Sequence, residues 1–543
     1  MQMKRLNLFF LFAFLSAACF SQSVKRPKLV VGIVADQMRW DYLYRYYDRY
    51  DNNGGFKRML NEGFSCENTF INHLPSYTAV GHTTIFTGSV PAIHGIAGNE
   101  WIDQASGKKV YCTDDSTVQT VGSNSRAGRM SPRNLQATTI TDELRLATNF
   151  RSKVIGVSLK DRASILPAGH NPTGAFWFDD ATGKFITSTW YMNNLPKWVN
   201  DFNAKDVPSK LTSSPWTTLY PINTYTQSTA DDVKWEGTFK GETSPTFPHN
   251  LKDLYQKDKD VIRSTPYGNT LTLEFAKAAI AGNNLGNGDA TDFLTINCAS
   301  TDYVGHKYGT NSIEIEDVYL RLDKELGALF RYLDEKVGNG NYLVFLTADH
   351  GACHAINFMK EYKMPADFIK PNKIINELNE VLANKFGQEK LVRSDENYQI
   401  NFDNTKIREL SLDYQAIKTT SLNHLRQNPE LQFVIDLENI GSASVPEPIR
   451  TMAINGYNTK RSGTIQLIPF PGWFESGYAT GTTHGTWIAD DTHIPLVWMG
   501  WGIKPGKTNR ETHMTDIAPT IAALLRIQMP SGNSGKVITE VVQ

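Results

Sequence analysis

Four apolar runs of strand length recur along the chain, and each breaks off at charged residues. Residues 28–35 (KLVVGIVA) run into Asp36, residues 153–159 (KVIGVSL) into Lys160, Asp161 and Arg162, and residues 293–297 (FLTIN) lead within a few positions to Asp302. The fourth, Tyr342 to Ala348, follows Gly338, Asn339 and Gly340 and ends at Asp349, His350 and Gly351. Aliphatic, aromatic and β-branched runs bounded by turn residues read as buried strands. Between the third and fourth, Ile315, Val318, Leu322, Leu326, Leu329 and Leu333 recur at helical spacing, and Asn311 with Glu314 resembles a capping box. Strand, helix, strand in that order predicts a parallel pair joined by a right-handed crossover, hence an α/β protein.

Other elements fill in around this frame. Helices are expected near Phe56 to Leu60, ended by Gly63, near Thr270 to Ala281, from Ile374 to Phe386, closed by Gly387, and from Thr515 to Leu525 with Thr515 as its cap. A further strand is expected from Ile494 to Trp498. Two stretches lose periodicity. Residues 164–266 scatter Trp177, Trp190, Trp198, Trp216 and Trp235 among polar residues, with a hairpin turn at Asp179 to Gly183, and residues 352–477 form a second long interval. Both read as cap insertions in one catalytic domain spanning 23–543. No internal repeat is evident.

In open α/β sheets, ligands bind beyond the carboxyl ends of the strands, so polar residues placed there are candidate chemistry. Leu74 to Gly88 reads as a loop that Pro75 and Ser76 turn into a short helix, with Thr78 in its first turn. A hydroxyl there faces the positive end of the helix dipole, which favours an alkoxide and an anionic phosphate alike. On local grounds Ser76 and Thr78 both read as caps, and nothing local selects either as a nucleophile. Asn99 falls in a Gly-flanked loop where an amide can face a ligand. If the segment is extended, Lys160 and Arg162 point to one side and can reach the same anion. Asp302 and His306 lie four apart, as on one helical turn, and His484 sits in the loop GTTHG. His82 and His94, among small and apolar residues, read as structural. Three carboxylates and three imidazoles suffice for two zinc sites, partitioned as Asp302, His306 and His484 on one and Asp36, Asp349 and His350 on the other. Two metals roughly 4 Å apart can hold the attacking and leaving oxygens of an in-line phosphoryl transfer.

Composition narrows the setting. The 543 residues carry 55 Lys and Arg against 56 Asp and Glu, a balance that points away from nucleic acid and from anionic membrane surfaces. Residues 1–22 read as an export signal: Lys4 and Arg5, an apolar run from Leu6 to Leu15, then Ser16, Ala17 and Ala18. The apolar run is shorter than the roughly 20 residues a membrane span needs. The protein is therefore expected in the periplasm or outside the cell, with a lipoprotein anchor on Cys19 left open. Cys66, Cys112, Cys298 and Cys353 remain after cleavage, enough for two disulfides or four buried thiols.

Taken together, the segments VVGIVADQMRWDYLYRYY, AVGHTTIFTGSVPAIHGIAGN, GVSLKDRASILPAGHNPTGAFWFDD, ASTDYVGH, TADHGA and GTTHG resemble the alkaline phosphatase superfamily, and most closely its PafA-type, phosphate-irrepressible bacterial alkaline phosphatases. The resemblance runs from Pro27 to about Val541. It implies a doubly wound, mostly parallel sheet sandwiched by helices, two zinc ions, a threonine nucleophile at Thr78, which also binds metal, and phosphate contacts from Asn99, Lys160 and Arg162. It implies small phosphate monoesters as substrates and a phosphothreonine intermediate. No stable protein partner is expected, and the chain is read as a monomer. With two zinc ions, three aspartates and a Thr78 alkoxide, Lys160 and Arg162 bring the site to a net charge of about +2, suited to a phosphate dianion; without them it is neutral and suits a diester monoanion. The alternatives are a nucleotide pyrophosphatase/phosphodiesterase of the same superfamily, against which the Lys-x-Arg pair argues, and a non-catalytic surface protein that binds phosphate or metal. An arylsulfatase is disfavoured, because Pro75-Ser76-Tyr77-Thr78 lacks the C/S-x-P-x-R frame.

Overall fold

A computed structural model describes residues 25–542 except Ser476 and Tyr478. The expected export signal, including Cys19, lies outside the described residues. The main sheet has eleven strands: β1 (Leu29–Ala35), β2 (Phe64–Phe70), β3 (Thr120–Val121), β4 (Val154–Val157), β5 (Gly174–Asp179), β6 (Lys184–Ser188), β7 (Asp292–Cys298), β8 (Tyr342–Thr347), β9 (His493–Ile494), β10 (Leu496–Gly500) and β11 (Gly506–His513). Their order is β9-β2-β10-β8-β1-β7-β4-β5-β6-β3, with β11 also on β2. The five central strands β8, β1, β7, β4 and β5 are parallel; four of them are the apolar runs, and the expected parallel partners β7 and β8 lie on either side of β1. The pairings of β10 with β8 and β2, of β6 with β5 and of β3 with β6 are antiparallel, while β11 runs parallel to β2, a mixture the apolar pattern did not disclose.

Every residue of β1, β4, β7 and β8 is buried, because helices cover both faces of the sheet. At Gly32 in β1 a Cβ would lie 2.6 Å from the ring of Phe345 in β8, so that ring can cross the neighbouring strand only over a glycine. The register aligns the strand ends: Ala35 pairs with Cys298, Val34 with Thr347, and Val157 with Ile296. Asp36, the segment after Cys298, the segment after Thr347 and the Ser158–Lys160 turn therefore all leave the sheet at one edge.

Several local expectations shift. The predicted strand 494–498 is two strands interrupted at Pro495, which has no N–H to give the ladder. The long helix Ile313–Leu333 is capped by Ser312, whose Oγ accepts the Ile315 N–H at 3.1 Å, rather than by Asn311. Thr515 lies in a 3-10 turn, Met514–Asp516, just before the helix Ile517–Leu525. Within 164–266, residues 174–188 are not cap at all: β5 and β6 extend the central sheet through a turn closed by Gly183 N–H on the Asp179 carbonyl (2.7 Å), and Phe185 stacks on Phe275 at 3.7 Å. Within 352–477, the strands Val392–Ser394, Gln399–Phe402, Leu431–Asp436 and Ile465–Pro469 form a separate four-stranded sheet, with a core of Ile374, Leu378, Leu382, Ile400, Phe402 and Leu467 beside it. Cys66, Cys112, Cys298 and Cys353 are all buried free thiols, so no disulfide joins them. No helix among the described residues is long and apolar enough to cross a membrane.

Candidate active site

The helix α1 (Thr78–Thr87) starts at the sheet edge where the strand ends converge and is closed by Gly88 in a left-handed conformation. Its N-cap is Tyr77, with no side-chain cap bond, so Thr78 is the first helical residue and its hydroxyl is not spent on capping. Thr78 Oγ1 lies 3.4 Å from Lys160 Nζ and 3.4 Å from His350 Nε2. Ser76 is turned away: its Oγ donates to the Thr486 carbonyl at 2.9 Å and accepts the Gly485 N–H at 3.1 Å. The structure thus separates the two hydroxyls that local sequence left equivalent.

Lys160 precedes a second helix, α2 (Asp161–Ala168), and is itself extended, whereas Arg162 is helical. The expectation that both lie on one extended edge is therefore wrong in detail: Lys160 reaches inward from the strand end, and Arg162 projects from the first turn. Lys160 Nζ donates to Asp36 Oδ2 at 2.9 Å and Asp302 Oδ2 at 2.7 Å, fully buried between them. Arg162 is held by Tyr111, whose Oη accepts Nη1–H at 3.2 Å and donates to Asp161 at 2.8 Å. Asn99 Oδ1 accepts the Ala79 N–H at 2.9 Å, which leaves its NH2 group as a donor in the cleft it lines. That cleft, of about 350 Å³, is lined by Thr78, Asn99, Arg162, Asp302, His306 and His484 on the sheet side.

The proposed metal ligands fall into contiguous groups. Asp302 and His306 come from α3 (Ser300–Tyr308), and with His484 they bring one ligand atom each within 4.8 Å of one another. His350 Nε2 lies 3.6 Å from Asp36 Oδ1 and 3.4 Å from Asp349 Oδ2, and Asp36 also groups with His82 and Asp349, and with Asp302 and His350. His82, read from sequence as structural, has Nδ1 3.2 Å from Asp349 Oδ2 and 2.9 Å from the Thr78 carbonyl. It lies four residues after Thr78, one turn along the same helix, where it meets Asp349.

The donor set fits a metal centre. His306, His350 and His484 each place Nδ1 against a main-chain carbonyl, of Thr482 (2.8 Å), Gly351 (2.9 Å) and Ser76 (2.7 Å). A carbonyl only accepts, so Nδ1 carries the proton and Nε2 keeps its lone pair for a metal. Asp36 Oδ1 and His82 Nε2 are buried with no hydrogen-bond partner, and Asp349 Oδ2 faces only the imidazoles of His82 (3.2 Å) and His350 (3.4 Å). Burial, followed by the charge of Asp349, pushes the Asp36 carboxyl well up, while against burial His306 and Lys160 hold Asp302 well down. Burial, then the neighbouring His350, keeps His484 neutral, the form that binds metal. The rings of His350 and His484 stack at 3.5 Å. Packing supports this geometry at Gly81, where a Cβ would lie 2.1 Å from the Asp349 carbonyl oxygen. Gly81→Ala is expected to push α1 off that strand end and cost about 1–3 kcal/mol, read as a lowered Tm in thermal melts.

The model of the type I phosphodiesterase / nucleotide pyrophosphatase family matches residues 30–494. The chain belongs to this family, and with it to the alkaline phosphatase superfamily. It is 57% identical to alkaline phosphatase PafA of Elizabethkingia meningoseptica, over 96% of each chain. It is 53% identical to alkaline phosphatase PhoV of Synechococcus elongatus, over 96% of this chain and 94% of that one. The crystal structure of wild-type PafA superposes with a TM-score of 0.94 over 96% of this chain and 100% of the other.

Proposed function

We propose that the protein is an exported, metal-dependent alkaline phosphatase that hydrolyses small phosphate monoesters through a phosphothreonine on Thr78. The observation that carries this reading is the buried Lys160 ammonium, placed between Asp36 and Asp302 and 3.4 Å from Thr78 Oγ1, with Arg162 beside the same cleft. A permanent cation at that point suits a dianion. The relatives named alkaline phosphatases at 57% and 53% identity support the same choice over the phosphodiesterase branch of the family.

The ligand sets proposed are Asp302, His306 and His484 for one zinc ion, and Asp36, Asp349, His350 and the Thr78 oxygen for a second. When bound, such ions supply Lewis-acid pull on the phosphoryl and ester oxygens and acidify a hydroxyl or water. The chain's own residues do the rest. The α1 N-terminus, where Thr78 sits, places the positive end of its dipole beside the nucleophile, with the Ala79 N–H held by Asn99. Asn99 NH2, Lys160 Nζ and Arg162 Nη1 donate to its nonbridging oxygens as charge builds there. Thr78 Oγ1 bonds to phosphorus as the phosphorus–ester oxygen bond breaks, the alcohol leaves with a proton, and water then cleaves the phosphothreonine to release phosphate.

The test is kcat/KM of the zinc-loaded protein on an aryl phosphate monoester and its matching diester, with and without a chelator. Monoester preference that disappears on chelation and returns with zinc is expected. Diester preference would move the chain to the phosphodiesterase branch, and no turnover of either would leave a phosphate- or metal-binding surface protein.

A further inference from the structure

A second group of buried acids lies behind α3. The turn from α3 into the next helix, α4 (Ile313–Leu333), is clamped by residues 228–237 of the first insertion. Thr229 N–H donates to the Asn311 carbonyl (2.8 Å), Ser228 Oγ to the Ser312 carbonyl (3.1 Å), and Gly237 N–H to the Lys307 carbonyl (2.8 Å). The clamp holds Gly237, next to Glu236, on the residue that precedes Tyr308, and the Tyr308 ring lies 5.4 Å from the ring of His249, which meets Glu314. Glu236 is only 5% exposed, and neither of its carboxylate oxygens has a hydrogen-bond partner. Glu314 is fully buried; its Oε1 lies 3.3 Å from His249 Nε2, and its Oε2 has no partner. The buried Tyr308 Oη has none either. His249 cannot relieve Glu236, because its other nitrogen, Nδ1, lies 3.2 Å from Glu242.

A buried carboxylate with no donor costs several kcal/mol unless a charge or proton compensates it. We propose that Glu236 anchors a binding site for a hard divalent cation of the calcium class, with Glu314 Oε2 as a second ligand and Tyr308 Oη and waters available to complete the shell. All of these unpartnered donors are oxygens, the choice of calcium or magnesium rather than zinc, and calcium tolerates the irregular geometry that three separate segments impose. The alternative occupant is a proton: with no cation, burial and then the charge of Glu314 push Glu236 up to about 10.

The position gives the site a consequence. The Trp235 carbonyl, next to Glu236, accepts the Gly481 N–H at 2.6 Å, and the Thr482 N–H donates to the His306 carbonyl at 3.2 Å. A cation on Glu236 would brace the segments that carry His306 and His484.

The full chain, prepared in chelator-treated buffer with zinc as the sole added metal, would be titrated with calcium or magnesium chloride. Metal content after gel filtration and Tm would be read for the wild type, Glu236→Gln and Glu236→Asp. Expected are one calcium per chain beyond zinc and a Tm raised by several degrees, both lost in Glu236→Gln, with magnesium the weaker ligand. Glu236→Asp should bind calcium more weakly than wild type, a readout that survives if Glu236→Gln does not fold. A wild type that takes up no further metal and melts at the same temperature with or without calcium would overturn the site. So would calcium uptake undiminished in Glu236→Gln. Metal content and Tm do not depend on phosphatase activity, so the site stands or falls apart from the proposed function.

Discussion

Thr78→Ala is expected to remove turnover of phosphate monoesters, by roughly 10⁴–10⁶-fold in kcat, the scale seen when a covalent nucleophile is deleted from an otherwise intact site. The fold should tolerate the change. Thr78 is the first helical residue with no side-chain cap bond, and alanine is a better helix former than threonine. Its Oγ1 contacts are long, 3.4 Å to each of Lys160 and His350, so few native bonds are lost. Every proposed ligand for metal and phosphate except the Thr78 oxygen stays in place, which separates the alternatives: the variant should still bind inorganic phosphate in a zinc-dependent way while failing to turn over ester. Thr78→Ser restores the oxygen but loses the β-branch that fixes χ1, and should recover most of the activity. Incubation with substrate followed by an acid quench should trap phosphate on Thr78 in the wild type and none in Thr78→Ala. Substantial turnover by Thr78→Ala would shift the role to another oxygen, and Ser76, bonded to Thr486 and Gly485, is not placed to take it.

How much of this was legible in the sequence follows from where the forces act. The central strands are buried on both faces, so their apolar runs stand out, and because parallel strands in register end together, the charged residues that follow them share one edge. That logic reached Asp36, Lys160, Asp302 and Asp349 directly. At the margins the strand 494–498 and the turn at 179–183 were legible, but β3 and β9 have two residues each and carry too little pattern, and β2 (FSCENTF) and β11 (GKTNRETH) are largely polar. The contact of His82 with Asp349 was not legible, because a fully buried helix gives an imidazole no visible partner in sequence. The far wall of the cleft, Glu396, Asn397 and Tyr398, comes from the second insertion, roughly 300 residues from Asn99 in sequence. Asn397 and Tyr398 are both left-handed there, at φ 64° and 57°, a strained pair that tertiary packing imposes and no local preference predicts. The Tyr111 bridge that steadies Arg162 is likewise a contact between distant segments.

Lys160→Ala is expected to lower kcat/KM for an aryl monoester by about 10²–10³-fold, the usual cost of removing one charged donor from developing anionic charge. The loss on the matching diester should be several-fold smaller. The asymmetry comes from substrate charge: a monoester dianion spreads its extra charge over the oxygens that Lys160 and Arg162 face, whereas a diester presents one less. Arg162→Ala should show the same sign with a smaller loss, since its guanidinium projects from the helix into the open cleft rather than lying between two carboxylates. Removing Lys160 also strips Asp36 and Asp302 of a shared buried cation, and metal-free protein should lose stability for that reason. Both substrates must therefore be measured on one preparation of known zinc content, with the ratio of the two kcat/KM values as the readout. Equal losses on monoester and diester would mean that Lys160 only spaces the two aspartates, and the charge-matching argument for a phosphomonoesterase would have to be abandoned.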